Sequence, residues 1–176
     1  MIVLVGFMGA GKTTVGGLLA ARLGLPLVDS DQVITERTGR QVRHIFAEDG
    51  EPAFRALEHQ VIAELLDGPD HVIAVGGGAP EHPQTRDRLA AETRAHVVYL
   101  EVSYAQAMQR VGGDGGRPML ARPDIAAVYQ RRLAAYAQVA TLTVPTDDRP
   151  PEVVTQDILT HMVRVPTAER APYPPR

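Results

Sequence analysis

The chain has 176 residues, 44% of them hydrophobic, and a formal net charge of −3 at pH 7. This length suits one domain with a sizeable core, and the small negative charge predicts no general attraction to nucleic acid or anionic membranes. The absence of cysteine excludes disulfides, thiolate zinc sites and thiol catalysis. No apolar run approaches the roughly 20 residues of a membrane span. Because a glycine-rich motif already begins at residue 6, we expect no signal peptide and a cytoplasmic protein.

The first segment predicts a phosphate-binding site. An apolar strand over residues 2–5 runs into the sequence GFMGAGKT at residues 6–13, and apolar residues at helical spacing follow. This is the P-loop pattern GxxxxGK[ST], in which backbone N–H groups at a helix start surround phosphates. Lys12, the only lysine in the chain, is expected to reach the β/γ-phosphates of ATP, and the Thr13 hydroxyl is expected to bind Mg²⁺. The other expected ATP-binding residues of this loop are Gly9, Ala10, Gly11 and Thr14. The alternative is a glycine-rich turn that binds nothing.

A second short strand, predicted over residues 26–28, ends in Asp29-Ser30-Asp31. Because alternate residues of a strand point to the same side, both carboxylates can face one cleft beyond the strand's C-terminal end, where open α/β sheets bind ligands. We expect Asp29 to help hold Mg²⁺ through water, and Asp31 to orient a substrate hydroxyl and accept its proton. The alternative is that Asp31 only caps a helix beginning near Gln32.

Residues 32–50 predict two short helices broken at glycines, and a long helix opens at Glu51. Phe46 suits core packing, the wall of a substrate cavity, or both. On the long helix Arg55 lies beside a buried stripe, and Glu58 follows three residues later within reach of an ion pair. Arg55 is expected to bind a substrate carboxylate while Glu58 holds its guanidinium. The alternative is a solvated surface pair.

The middle of the chain predicts a buried strand over residues 71–75, which ends in Gly76, Gly77 and Gly78. Three glycines there permit close approach of a ligand to the backbone, although a plain turn is the alternative. A helix over 81–91, a strand over 96–100 and a helix over 103–111 follow.

Four glycines within residues 112–116 then predict a mobile loop. Arg117 at its end is a candidate lid residue that meets the transferring phosphoryl group; an incidental arginine in a disordered loop is the alternative.

The last part predicts a helix from residue 123 to about 140, a strand over 141–144 and a helix over 151–164. Arg132 lies on the inner face of the first of these helices, and Arg131 lies about a hundred degrees round, so Arg132 is the better candidate for the cleft. The proline-rich residues 165–176 predict disorder. Strands that alternate with helices predict a parallel sheet of about five strands covered on both faces.

These pieces indicate phosphoryl transfer to an acceptor that bears a carboxylate and a hydroxyl. In motif content, order and spacing, residues 1–164 resemble the shikimate kinases. The matching segments are the P-loop, the Asp-x-Asp pair, FRALE at 54–58, GGG at 76–78, RPML at 117–120, and Arg132-x-x-x-Tyr136.

The resemblance implies a nucleoside-monophosphate-kinase-like α/β fold with strand order 2-3-1-4-5, in one P-loop kinase domain over residues 1–164. It implies a lid at about 112–122 and a shikimate-binding region at about 31–58. The implied reaction moves the γ-phosphate of ATP to the 3-hydroxyl of shikimate with Mg²⁺, in aromatic amino-acid biosynthesis, and we expect a monomer. The implied substrate-site residues are Asp31, Phe46, Phe54, Arg55, Glu58, Gly76, Gly77, Gly78 and Arg132. Those implied for metal are Thr13 and Asp29, for phosphates Lys12 and Arg117, and for the neighbourhood of adenine Arg110 and Arg149.

Three alternatives stand beside this interpretation. A gluconate kinase-like enzyme would share the P-loop and the lid. A nucleotide-binding module without catalysis would lack the base or the lid arginine, yet both residues are present. A P-loop motor or GTPase is disfavoured by the small size, and the Asn-Lys-x-Asp signature cannot occur because the chain has no asparagine.

Overall fold

The computed structural model describes residues 1–112 and 124–164. Five strands form one parallel sheet in the order β2-β3-β1-β4-β5, which confirms the predicted fold class. The strands are β1 Ile2–Val5, β2 Leu27–Asp29, β3 Val72–Ala74, β4 His96–Glu101 and β5 Leu142–Pro145. The helices of the described residues are α1 Lys12–Leu23, α2 Ser30–Thr38, α3 Val42–Glu48, α4 Gly50–Asp67, α5 Pro83–Ala90, α6 Tyr104–Val111, α7 Ile125–Val139 and α8 Pro151–Arg164, with a 3₁₀ turn at Ala79–Glu81.

The sheet is the centre of the main core. Every residue of β1 and β3 is buried, and since successive strand residues point to opposite faces, both faces of the sheet are covered. Helices α1 and α8 pack together, and α7 packs against α5 and β4. The strands are buried on both faces because their sequences are almost continuously apolar.

The strand register places the functional loops at one edge. Ala74 pairs with Leu4 on one side and with Asp29 on the other. The P-loop, the Asp-x-Asp segment and the three-glycine turn therefore all begin within two residues of the same level of the sheet. This is the C-terminal edge, where parallel α/β sheets bind their ligands.

A second, smaller core holds α2, α3 and α4 together. Its buried residues are Ile34, Ile45, Phe54 and Val61. Helix α2 begins at Ser30, earlier than predicted, because the Asp29 carboxylate accepts a hydrogen bond from the Asp31 N–H at 2.9 Å. Asp29 is thus the N-cap, and the alternative in which Asp31 caps this helix is wrong.

The sheet core predicts a sharp contrast between two identical substitutions. Val97 in β4 is fully buried, whereas Val153 in α8 is 44% exposed. Val97→Ala should lower the free energy of unfolding by about 2–3 kcal/mol, because it removes buried methyl groups and leaves a cavity. Val153→Ala should change it by less than about 0.5 kcal/mol. Urea unfolding of both variants measures the difference, and equal losses would contradict this description of the core.

Candidate active site

The P-loop connects β1 to α1 in the predicted strand–loop–helix order. Gly11 caps α1 in the left-handed conformation, with φ 91°, which suits a glycine. Lys12 is the first residue of the helix, and its ammonium donates to the carbonyls of Gly6 at 2.8 Å and Phe7 at 3.2 Å. The ammonium therefore lies against the loop that precedes α1, and a cation beside a helix N-terminus suits phosphate binding.

The Asp-x-Asp segment reaches the site in a different way from the prediction. Asp29 is the last residue of β2, but Asp31 already lies in the first turn of α2, so the alternation of a strand does not align the two carboxylates. Both nevertheless line the same cavity. Ser30 between them is fully buried, and its hydroxyl accepts a hydrogen bond from the Gly76 N–H at 3.0 Å. This bond ties the start of α2 to the three-glycine turn.

Arg55 and Glu58 form a buried ion pair on α4, with 2.6 Å between Nη1 and Oε2. Arg55 is 8% exposed and Glu58 is 1% exposed, so the alternative of a solvated surface pair is wrong. The guanidinium also contacts the faces of Phe46 and Phe54, at 5.6 and 5.3 Å from the ring centroids. Its Nη2 donates to Glu51 at 3.2 Å. Rings and carboxylates thus hold Arg55 in one position.

Burial changes the acid–base behaviour of this pair. Loss of hydration raises the pKa of Glu58 to about 7; the Arg55 charge acts in the opposite direction, and the nearby Asp31 charge adds to the rise. Its second oxygen, Oε1, is buried and accepts no hydrogen bond within the described residues, which is consistent with a carboxyl that holds its proton more tightly than usual. The pKa of Arg55 is raised: burial lowers it, but the charges and hydrogen bonds of Glu58 and Glu51 together outweigh that effect.

The three-glycine turn is required by side chains that press against it. A Cβ on Gly76 would collide with Glu58 Oε1 and lie 3.0 Å from Asp31 Oδ1. A Cβ on Gly78 would lie 2.6 Å from Arg55 Cζ and 2.8 Å from Arg132 Nη2. These positions exclude any larger residue unless a charged group moves.

Arg132 reaches the same turn from α7. Its side chain is 4% exposed, its Nε donates to Glu81 Oε2 at 2.7 Å, and its guanidinium lies 5.9 Å from the centroid of the Phe7 ring. One turn later on α7, the Tyr136 hydroxyl donates to the Gly77 carbonyl at 2.5 Å. The neighbouring Arg131 is 58% exposed, so Arg132 is the arginine of the pair that faces inward.

A cavity of about 640 Å³ lies between these elements. The predicted site residues that line it are Lys12, Thr13, Asp29, Asp31, Phe46, Phe54, Arg55, Glu58, Gly76, Gly77, Gly78 and Arg132. Five further residues that the sequence did not single out also line it: Met8, Gln41, Val42, Arg43 and Val75. The cavity thus extends from the P-loop lysine to the two inward-facing arginines.

The two arginines expected near adenine lie outside this lining. Arg110 on α6 donates to the Gly9 carbonyl at 3.1 Å and to the Thr146 carbonyl at 2.5 Å, which joins the P-loop to the loop after β5. Arg149 donates to the Pro145 carbonyl at 3.0 Å and pairs with Asp157. Arg117, most of the expected lid and the proline-rich tail lie outside the described residues.

Sequence reasoning missed Glu81, the buried Ser30 hydroxyl and the hydrogen bond of Tyr136. Glu81 and Arg132 are 51 positions apart, and Ser30 and Gly76 are 46 apart, so no local spacing relates the partners. Tyr136 had a local signal, because it follows Arg132 by four residues on one helix face.

Among residues 1–112 and 124–164, no three His, Asp or Glu side chains come together as a metal-binding group, so protein side chains there do not form a complete metal cage. Within the same ranges, no helix is both long enough and apolar enough to span a membrane.

The fold and this cavity define a P-loop phosphotransferase with a small-molecule site beside the phosphate loop. A family model described as shikimate kinase matches residues 8–163. Shikimate kinase from Thermobifida fusca is 50% identical over 155 residues, which are 86% of this chain and 88% of that protein. Shikimate kinase from Mycobacterium tuberculosis (strain H37Ra) is 44% identical over 173 residues, 96% of each chain.

Solved structures agree with the sequence relatives. Shikimate kinase from Acinetobacter baumannii, in complex with shikimate, matches with a TM-score of 0.85 and 36% identity, over 93% of this chain and 92% of that one. The chain therefore belongs to the shikimate kinase family. It is accordingly an ATP-dependent kinase, and the motor, GTPase and gluconate kinase alternatives are set aside.

The raised pKa of Glu58 predicts a particular dependence of stability on pH. The usual pKa is 4.5 and the folded value is about 7, so between them the folded protein binds more protons than the unfolded chain. The contribution of Glu58 is fully present below pH 4.5 and is lost as pH rises through 7. The stability of the wild type relative to Glu58→Gln should therefore fall by about 2 kcal/mol between pH 5 and pH 8.

Urea unfolding at the two pH values measures this difference. The matched control is Glu64→Gln on the same helix, because Glu64 is 59% exposed and pairs with Arg37 at the surface. The stability of the wild type relative to this variant should shift by less than about 0.5 kcal/mol between the two pH values. A stability difference for Glu58→Gln that stays constant with pH would contradict the raised pKa.

Proposed function

We propose that this protein transfers the γ-phosphate of ATP to the 3-hydroxyl of shikimate, giving shikimate 3-phosphate and ADP. The observation that carries the proposal is the convergence of two buried arginines, Arg55 and Arg132, on the Gly76–Gly78 turn of a cavity that also contains Asp31 and the P-loop lysine. Such a cavity offers one region to a carboxylate and another to phosphates. The Acinetobacter baumannii relative in complex with shikimate supports the choice of acceptor.

In this proposal the acceptor is bound through its carboxylate by Arg55 and Arg132, whose planar groups suit carboxylate oxygens. Phe46 and Phe54 form an apolar wall beside the ring. Asp31 orients the acceptor hydroxyl and receives its proton as the oxygen attacks phosphorus, and Lys12 stabilises charge on the phosphoryl oxygens. The protein forms no covalent bond to the substrates in this proposal, so the rate acceleration comes from positioning and electrostatic stabilisation.

We further propose that Mg²⁺ is the cofactor, held by the Thr13 hydroxyl and, through water, by Asp29. Both residues line the cavity, and so small a donor set suits Mg²⁺, which usually takes one or two protein oxygens together with phosphates and waters. When bound, the ion would neutralise charge on the β- and γ-phosphates.

The remaining assignments are also proposals. Arg117 belongs to a lid at about 112–122 that excludes water from the reaction, Arg110 and Arg149 lie near the adenine, and residues 31–58 form the acceptor-binding region. One kinase domain over 1–164 would act as a cytoplasmic monomer without nucleic-acid or membrane partners.

The proposed reaction is tested by ADP release from Mg-ATP with shikimate, with gluconate or with no acceptor. We expect release only with shikimate, and its loss when EDTA removes Mg²⁺. Release with gluconate alone would overturn shikimate as the acceptor but not carboxylate binding by the two arginines, because gluconate also bears a carboxylate. Tight ATP binding without release under any condition would instead indicate a nucleotide-binding module.

Asp31→Asn tests the assignment of the base. Turnover should fall by about 10²- to 10⁴-fold, because the amide keeps the shape of the side chain but cannot accept the proton, whereas ATP affinity should stay nearly unchanged. The matched control is Asp87→Asn, an exposed position on α5, which should leave both quantities at wild-type values. Steady-state kinetics and ATP titration measure the two effects, and parallel losses of turnover and ATP affinity would reject the role of Asp31.

A further inference from the structure

The contacts of Arg132 are divided between two sides of its guanidinium group. On one side, Nε donates to Glu81 Oε2 at 2.7 Å. On the other, Nη1 lies 3.7 Å from the position of a Cβ on Gly77, and Nη2 lies 2.8 Å from one on Gly78. Glu81 itself is not among the described residues that line the cavity. Its carboxylate therefore approaches the site by way of this arginine, while its backbone N–H donates to the Gly78 carbonyl at 2.9 Å.

We infer that Glu81 is a positioning residue that directs the two Nη groups of Arg132 toward the acceptor carboxylate and so sets the affinity for the acceptor. The inference rests on the proposed function, because it requires Arg132 to bind that carboxylate. A long side chain binds a planar anion well only when its donors already point in one direction, since otherwise binding must fix several torsions. Glu81 fixes the direction before the acceptor arrives.

Charge and burial give Glu81 this role. The Arg132 side chain is 4% exposed and that of Glu81 is 22% exposed, so the pair is shielded from water and the guanidinium needs a nearby anion. Arg55 Nη2 reaches the same turn at Gly78, which brings two like charges together. Glu58 neutralises Arg55, and Glu81 is the corresponding partner of Arg132.

Helix α7, which carries Arg132, also holds the backbone of the three-glycine turn. Tyr136 lies one turn after Arg132 on α7, and its hydroxyl donates to the Gly77 carbonyl. Glu81 closes the 3₁₀ turn at Ala79–Glu81, directly after the three glycines. The Glu81–Arg132 pair and the Tyr136 bond therefore fix the Arg132 donors relative to the turn that they face.

The chain offers an internal control for the loss of an ion pair. The other oxygen of Glu81 accepts from Nε of Arg131 at 3.4 Å, and Arg131 is 58% exposed. Arg131→Ala removes this second interaction of the same carboxylate without touching Arg132. If Glu81 acts through Arg132 alone, this variant should keep wild-type kinetics.

The test compares four variants, Glu81→Ala, Glu81→Gln, Glu81→Asp and Arg131→Ala, in steady-state kinetics with shikimate and Mg-ATP. Glu81→Ala should raise KM for shikimate about tenfold, with kcat changed by less than about threefold and KM for ATP unchanged. Glu81→Gln keeps an oxygen that accepts from Nε but loses the charge, so its KM for shikimate should lie between those of wild type and Glu81→Ala. Glu81→Asp keeps the charge but shortens the reach, so its KM should fall between those of wild type and Glu81→Ala, and it serves as the principal variant if the alanine variant does not fold.

Several outcomes would overturn the inference. An unchanged KM for shikimate in both Glu81→Ala and Glu81→Asp would show that Arg132 needs no such partner. Equal changes in both KM values, or no recovery in either Glu81→Gln or Glu81→Asp, would indicate a general structural role. Failure of the wild-type protein to release ADP with shikimate would reject the proposed function, and this inference with it. Failure of the proposed function is distinguishable from failure of this inference, because only the former is measured on the wild-type protein.

Discussion

Two buried guanidinium groups converge on a single backbone turn, and the cavity is built around this juxtaposition of like charges. Arg55 and Arg132 both approach Gly78 closely enough that a Cβ would overlap them. Such groups repel each other more strongly away from water, so each requires an anion of its own. Glu81 supplies one of these anions, and Glu58 supplies the other once the pH exceeds its pKa of about 7. The absence of side chains on the turn leaves room for the two guanidinium groups, and the carboxylates offset their positive charge.

The parallel sheet explains why elements distant in sequence meet here. The chain crosses from β2 through α2, α3 and α4 before it returns as β3 beside β2, so the segment that carries Arg55 connects two strands that pair with each other. Because β3 also pairs with β1, the glycine turn and the P-loop are side by side. A phosphate site and an acceptor site thus share one sheet edge without any long connecting loop among the described residues.

Local patterns in the sequence predicted the elements but not all of their contacts. The P-loop, the strands and the helices follow from apolar periodicity, glycines and caps, which act over a few residues. The position of Arg132 followed from helix geometry. The burial of Arg55 and Glu58 did not, because spacing on a helix shows that two side chains can meet and says nothing about what covers them. The cap of α2 was misplaced because Asp29 and Asp31 are both good capping residues, and only the path of the chain decides between them. Glu81 has no sequence signal that relates it to Arg132.

The charges of the cavity bear on selectivity in the proposed reaction. At the acceptor end, two arginines are offset by two glutamates, so the local field is weaker than the number of cations suggests. Recognition there then depends on N–H donors held in fixed directions, which favours a carboxylate of the right geometry over any anion. At the P-loop, the helix N-terminus and Lys12 offer positive potential to phosphates. A multiply charged triphosphate gains more from the P-loop than from a neutralised arginine pair. Offsetting the arginines with carboxylates therefore helps to keep the nucleotide out of the acceptor site, and a cavity with both ends equally cationic would lack that distinction.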